Sequence, residues 1–259
     1  MAIKRAKVIT VTSVKGGVGK TSTVLNLAGI YAGMDKKVLV IDMDLSSSTI
    51  VLSLNLDVKK DLFYLAEDIN NNRFSNVEDY LIKYSDNISI LAAPKDPRLE
   101  NKISSRYLKL ILGKVNSVYD VIILDTIHHM SKYTLTCMDN SDWILYLMSN
   151  DPYDLKNMKS MISILKDMGK TNYKVVLNES INHNNKIFTK YDIRNIIKNE
   201  IDFVIPSSFY IKNYHKYIID GKIVTMDSKV RVVNKKAIEV FNDLAKSLLE
   251  DNTDVKDKK

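Results

Sequence analysis

Between residues 14 and 22 the chain reads VKGGVGKTS. Three glycines fall within four residues, with Lys15 on one side and Lys20 on the other. Glycines at 16, 17 and 19 leave backbone N–H groups free to curl around an anion with no side chain in the way. A helix starting near Lys20 adds its positive N-terminus. Lys20 is then in reach of the β and γ phosphates of a nucleotide, and the Thr21 hydroxyl can hold Mg²⁺. Gly16, Gly17, Val18, Gly19, Lys20, Thr21 and Ser22 form the candidate phosphate-binding set. Lys15 has no place in such a cradle. The common pattern has glycine at position 14, where this chain has Val14, and what it has besides is Lys15.

Carboxylates follow at matching places. VLVIDMD ends on Asp42 and Asp44, and VIILDT brings Asp125 to the end of another apolar run. Strand-end carboxylates beside a phosphate loop suit Mg²⁺, held through its waters.

The elements that must position these groups are legible as alternating patterns. Apolar runs at 7–14, 37–43, 88–93, 120–126, 143–149, 174–180 and 201–206 are continuous rather than alternating. Parallel strands covered on both faces have that signature. Helix-length segments lie between them, at about 20–33, 104–117, 153–168, 189–199 and 234–249. In the last, Ala237, Ile238, Phe241, Leu244, Ala245 and Leu248 make one apolar stripe. The expected fold is α/β, a mostly parallel sheet flanked by helices on both faces, as one domain over 1–250 with a disordered polar tail at 251–259. Residues 44–87 give the weakest pattern and suggest several short helices.

Composition narrows the classes. Hydrophobic residues make up 45% of 259, enough for a sizeable core. A lone cysteine, Cys137, excludes an internal disulfide and reads as a small buried apolar residue in a reducing cytoplasm. The basic start MAIKRAKVITVTSV breaks at Lys15 without a small-residue cleavage site, so it reads as a first strand and not an export signal. No apolar run approaches the ~18 residues of a membrane span. A cytoplasmic protein follows, with recruitment to a pole or the inner face of the membrane left open. The net charge of +7 permits contact with nucleic acid or an anionic membrane without requiring either.

KGGVGKT at 15–21 resembles, residue for residue, the deviant Walker A motif KGGxGKT of the ParA/MinD family of P-loop ATPases. The resemblance runs from Lys7 to about Leu249. It implies ATP and Mg²⁺ as ligands, slow hydrolysis stimulated by a partner, and a homodimer formed on ATP binding. It also gives Lys15 a role: in that family the extra lysine reaches the nucleotide of the other subunit, as an arginine finger does. By the same resemblance Lys15, Lys20 and Asp44 are catalytic, with Asp44 orienting the attacking water. Thr21, Asp42 and Asp125 support the metal. Asn178, in KVVLNES, matches the adenine-contacting Asn, and Pro206, in FVIPSS, the loop packed on the purine. After Asp44 the chain reads DLSSST where partition members have Pro-Gln.

Within the family, DTIHHMSKYTL followed by NSDWILYL is most similar to the switch II region of CpaE/TadZ pilus-assembly ATPases. Ile127 and His128 depart from the proline and arginine usual there, and the receiver-like domain that usually precedes such ATPases is missing or separate. His129 is a candidate switch residue near the dimer interface. The resemblance thus implies positioning of a pilus or secretion-type assembly through a protein partner. Two alternatives stand beside it. A ParA-type partition ATPase would bind nonspecific DNA, and 209–222 with Lys229, Arg231, Lys235 and Lys236 could serve that, though a solvated basic face is the plainer reading. A MinD-type membrane switch would need a C-terminal amphipathic helix, whereas 234–249 reads as a core helix.

Overall fold

The computed structural model describes residues 5–181 and 187–251. The tail expected at 251–259 therefore lies, beyond Asp251, outside the described residues. The seven apolar runs form strands β1 (Lys7–Ser13), β2 (Val38–Met43), β4 (Ile88–Leu91), β5 (Val121–Thr126), β6 (Trp143–Met148), β7 (Tyr173–Asn178) and β8 (Phe203–Ile205). An eighth, β3 (Leu81–Lys83), was not legible: it has three residues, none fully buried. The order is β3-β4-β2-β5-β1-β6-β7-β8, and only β3 runs antiparallel to its neighbour.

β2, β5 and β6 are buried at every position, the physical cause of their unbroken apolar runs. One face, with Ile9, Val40, Ile123, Leu145 and Val176, packs on α1 (Lys20–Gly33) and α10 (Lys235–Leu249). The opposite face carries α3 (Leu62–Asn70) and α4 (Tyr107–Val115) on one half of the sheet. On the other half it carries α6 (Pro152–Asp167) and α7 (Lys190–Ile197). Each fully buried Leu or Ile in these layers contributes about 1.5–3 kcal/mol. The six apolar stripe positions of α10 are all buried, so this helix is core.

Short helices complete the chain. α2 (Ile50–Ser53) and α3 fall in 44–87, as expected there. α5 (Lys132–Asp139), α8 (Tyr214–Ile219) and α9 (Ser228–Val233) lie in segments with no helix expected. In 209–222 Lys212, Lys216 and Lys222 are exposed, as a solvated basic face has them, while Phe209 is buried and Tyr214 and Tyr217 pack partly buried against the core. The sidedness of a six-residue helix is too short a pattern to read. Cys137 is buried, and burial pushes its thiol up. No described helix is long and apolar enough to cross a membrane.

Candidate nucleotide site

The loop 14–19 leaves the end of β1 and enters α1 at Gly19. Gly17 and Gly19 hold φ of 76° and 86°, the left-handed region that a side chain strains. Gly19 has a second reason to be glycine. A Cβ there would meet Asn178 Nδ2 at 2.7 Å. No side chain caps the start of α1, and no acidic residue sits in its first turn. Its first N–H groups and its positive end therefore stay open to an anion. By contrast α3, α5, α6 and α7 are capped by Asp61, Ser131, Asp151 and Thr189.

The carboxylates arrive on neighbouring strands. Asp42 on β2 and Asp125 on β5 face each other in register, both fully buried. Thr21 Oγ1 donates to Asp125 Oδ2 at 2.6 Å, while Asp125 Oδ1 is buried with no partner. Burial pushes Asp125 up to about 7, against the Thr21 bond and the Lys20 charge. Asp42 is raised well above the carboxylate range, by burial first and by Asp125 beside it, although the Ser48 hydroxyl bonds it. Two like-charged carboxyls in low dielectric disfavour joint ionisation, and a cation between them removes that penalty. The orphaned Asp125 oxygen beside the Thr21 hydroxyl fits Mg²⁺. Among the described residues no three His, Cys, Asp or Glu converge into a self-sufficient metal site. That is the usual state of affairs for Mg²⁺, which is completed by phosphate and water.

Asp44 lies just beyond. Its Oδ1 accepts from Ser47 N at 3.0 Å and Ser47 Oγ at 2.8 Å, and its own N–H donates to Asp42 Oδ1 at 3.1 Å. The serines of DLSSST thus tie down both aspartates. Lys20 stands in this field: burial lowers its pKa, opposed by Asp125, Asp44 and Asp154.

Lys15 points elsewhere. Its Nζ pairs with Asp151 Oδ1 at 3.0 Å, with 40% of the side chain exposed. Asp151 also caps α6 through the N–H groups of Tyr153 and Asp154, and these bonds hold its carboxyl below the usual range. Sequence reasoning missed Asp151 as part of the site. Asp-Pro before a helical run was there to be seen, as a helix start.

The two residues expected on the base side, Asn178 and Pro206, come from farther along the chain. Asn178 Nδ2 donates to Val18 O at 3.1 Å and its Oδ1 accepts from Ser180 N and Oγ, so this amide braces the loop. Next to it a cavity of about 310 Å³ is lined by Gly19, Ser22, Ile181, Tyr210, Ile211 and Tyr214, among others. Tyr214 OH reaches Ser22 Oγ at 3.2 Å. Pro206 lines a different cavity. It opens the turn Ser207–Phe209 that carries the following residues to the site. Ile181, Tyr210, Ile211 and Tyr214 were not foreseen at this wall, because apolar and aromatic side chains carry no spacing code. His128 sits on the outer side of the loop, its ring 3.7 Å from where a Gly16 Cβ would be, and edge-on to His129.

A family model described as an AAA domain, AAA_31, matches residues 6–183. The chain belongs to that family. The septum site-determining protein MinD of Thermotoga maritima is 27% identical over 208 residues, covering 78% of this chain and 75% of its own. A ParA family ATPase from Chlorobium tepidum superposes with a TM-score of 0.78 at 18% identity, over 93% of this chain and 98% of that one. MinD from Pyrococcus horikoshii, in complex with Mg-ADP, gives 0.75 at 21% identity, over 94% and 96%. The AAA_31 domain is of the ParA/MinD kind, and the fold is theirs.

Proposed function

We propose that this chain is a Mg²⁺-dependent ATPase switch that dimerises on ATP and positions a cellular assembly, of the pilus or secretion type, through a protein partner. The observation that carries it is the division between the two lysines. Lys20 lies among Asp125, Asp44 and Asp154, inside the loop's own cradle. Lys15 stands at the rim in an exposed ion pair. Surface pairs of this kind contribute ~0–1 kcal/mol, so Lys15 exchanges Asp151 for a phosphate at little cost.

In this reading the Gly16–Ser22 backbone and Lys20 bind the phosphates, and the Asn178–Tyr214 wall takes the adenine. Thr21, Asp42 and Asp125 would hold Mg²⁺, which neutralises charge on the phosphoryl oxygens. Asp44 orients the attacking water once released from Ser47. Lys15 of each copy meets the charge developing on the other copy's nucleotide. A ligand shifts an equilibrium only by its differential affinity for the two states, and that contact supplies the difference. The likeness to a septum site-determining protein supports a positioning output.

Light scattering with ATP tests the core of this. Lys15→Ala is expected to stay monomeric with ATP bound, whereas Asp44→Ala accumulates as the dimer. Dimerisation of Lys15→Ala at wild-type levels refutes the trans role. A second reading, partition-type DNA binding, is favoured by the exposed Lys229, Lys235 and Lys236 on α9 and α10. Its mark is ATP-dependent binding of nonspecific DNA that weakens steeply with salt. If the ATP dimer coats DNA and charge reversal at Lys235 and Lys236 removes that binding, the partition reading replaces the pilus one.

A further inference from the structure

At the opposite end of the sheet from Gly19, the first residues of β6 and β7 border an open cavity of about 440 Å³. Three lysines line it: Lys166 from the last turn of α6, Lys170 from the following loop and Lys174 from β7. Trp143 and Tyr173 supply aromatic surface. Nothing in the proposed nucleotide chemistry uses this place.

The three cations differ in what they touch. Lys170 Nζ pairs with Asp139 at 2.8 Å, and Lys166 Nζ reaches the Lys198 carbonyl at 3.4 Å. Lys174 is only 8% exposed. Its Nζ lies 4.4 Å from the centroid of the Trp143 ring. The two acids at the cavity are engaged. Glu200 pairs with Arg194 at 3.0 Å, and Asp202 accepts the Val175 N–H at 2.7 Å. Trp143 is fixed in turn, donating its Nε1–H to the Glu250 carbonyl at 3.1 Å.

A ring face offsets part of the cost of burying an ammonium but leaves its hydrogen-bond donors unused. A cavity of this volume suits a small molecule rather than a nucleic-acid backbone, which tracks an open basic groove. We propose that it binds a small phosphate-bearing anion. Lys174 is the central cation, with Lys166 and Lys170 closing from the rim on long flexible stems. Three lysines lining one cavity from different elements can offer donors to a tetrahedral dianion on more sides than a single carboxylate, which presents two oxygens in one plane, can use.

The chain has one tryptophan, so Trp143 emission reports on this cavity alone. Inorganic phosphate is titrated against chloride at matched ionic strength, with Lys20→Ala protein in parallel to remove the phosphate loop. Wild type and Lys20→Ala are expected to show the same saturable change. Lys174→Met, which keeps the stem over the indole, should raise the midpoint at least about tenfold, equivalent to ~1.4 kcal/mol. No saturation in wild type, or an equal midpoint in Lys174→Met, overturns the proposal. Should Lys174→Met fail to fold, the surface double variant Lys166→Gln/Lys170→Gln decides: a raised midpoint supports the site, and an unchanged one removes it.

Discussion

The two sides of the nucleotide crevice are made by different means. The phosphate side is backbone and strand ends: Gly17 and Gly19 at positive φ, the uncapped start of α1, and Asp42 facing Asp125 across paired strands. The side proposed for the base is a wall of side chains gathered from Ile181 to Tyr214, none of them bound to its place by a backbone requirement. Where chemistry depends on backbone groups, few residue types are allowed and their spacing is fixed. Where it depends on apolar contact, many residues serve.

That contrast can be broken by comparing ATP with inorganic triphosphate as ligands. The largest effect is expected at Lys20→Ala. Removing the cation from among buried carboxylates should weaken both ligands by about 2–5 kcal/mol, roughly 30-fold to several thousand-fold. Calorimetry showing unchanged affinity for either would mean that the phosphates bind elsewhere. Gly19→Ala comes next. The positive φ costs about 1–2 kcal/mol, and the methyl must displace the Asn178 amide. The expected result is a lower thermal midpoint and weaker binding of both ligands, since Asn178 and the loop are one unit. A Gly19→Ala protein as stable as wild type would show that the loop tolerates a side chain there. The smallest effect belongs to the other wall. Tyr214→Phe removes only the hydroxyl at Ser22, about 1 kcal/mol or fivefold, and should weaken ATP while leaving triphosphate unchanged. If triphosphate binding falls as well, Ser22 couples the two sides and they do not act separately.

A fourth test sharpens the difference between the carboxylates. Asp125→Asn keeps shape but removes the charge opposite Asp42, whose raised pKa depends partly on that neighbour. Without nucleotide the variant should be at least as stable as wild type, because a like-charge pair is relieved. Its Mg²⁺-dependent gain in ATP affinity should shrink. Stability falling below wild type without nucleotide would mean that the Thr21 bond outweighs the repulsion.

Much of this was legible without coordinates. β2, β5 and β6 announced themselves because burial on both faces allows no polar alternation, and the stripe of α10 because six apolar positions fall on one side. β3 did not, since a short edge strand exposes its side chains and needs no pattern. The loop's glycines, Lys20, Thr21 and the three aspartates were named by type and spacing. Pro206, expected by resemblance on the loop packed against the purine, opens the turn Ser207–Phe209 that leads to the cavity beside Asn178.

The sequence by itself determined the phosphate side, because left-handed backbone, an anion-accepting helix start and strand-end carboxyls each restrict residue choice at fixed offsets. Only the tertiary structure decided what lies against that loop from distant segments. It brought Asp151 to Lys15 across 136 residues, set Tyr214 on Ser22 across 192, and placed the Lys174 ammonium against the Trp143 ring. Each of these meetings depends on strand order and loop path, in which sequence distance has no direct expression, and a single aspartate, tyrosine or lysine reads the same wherever the fold carries it.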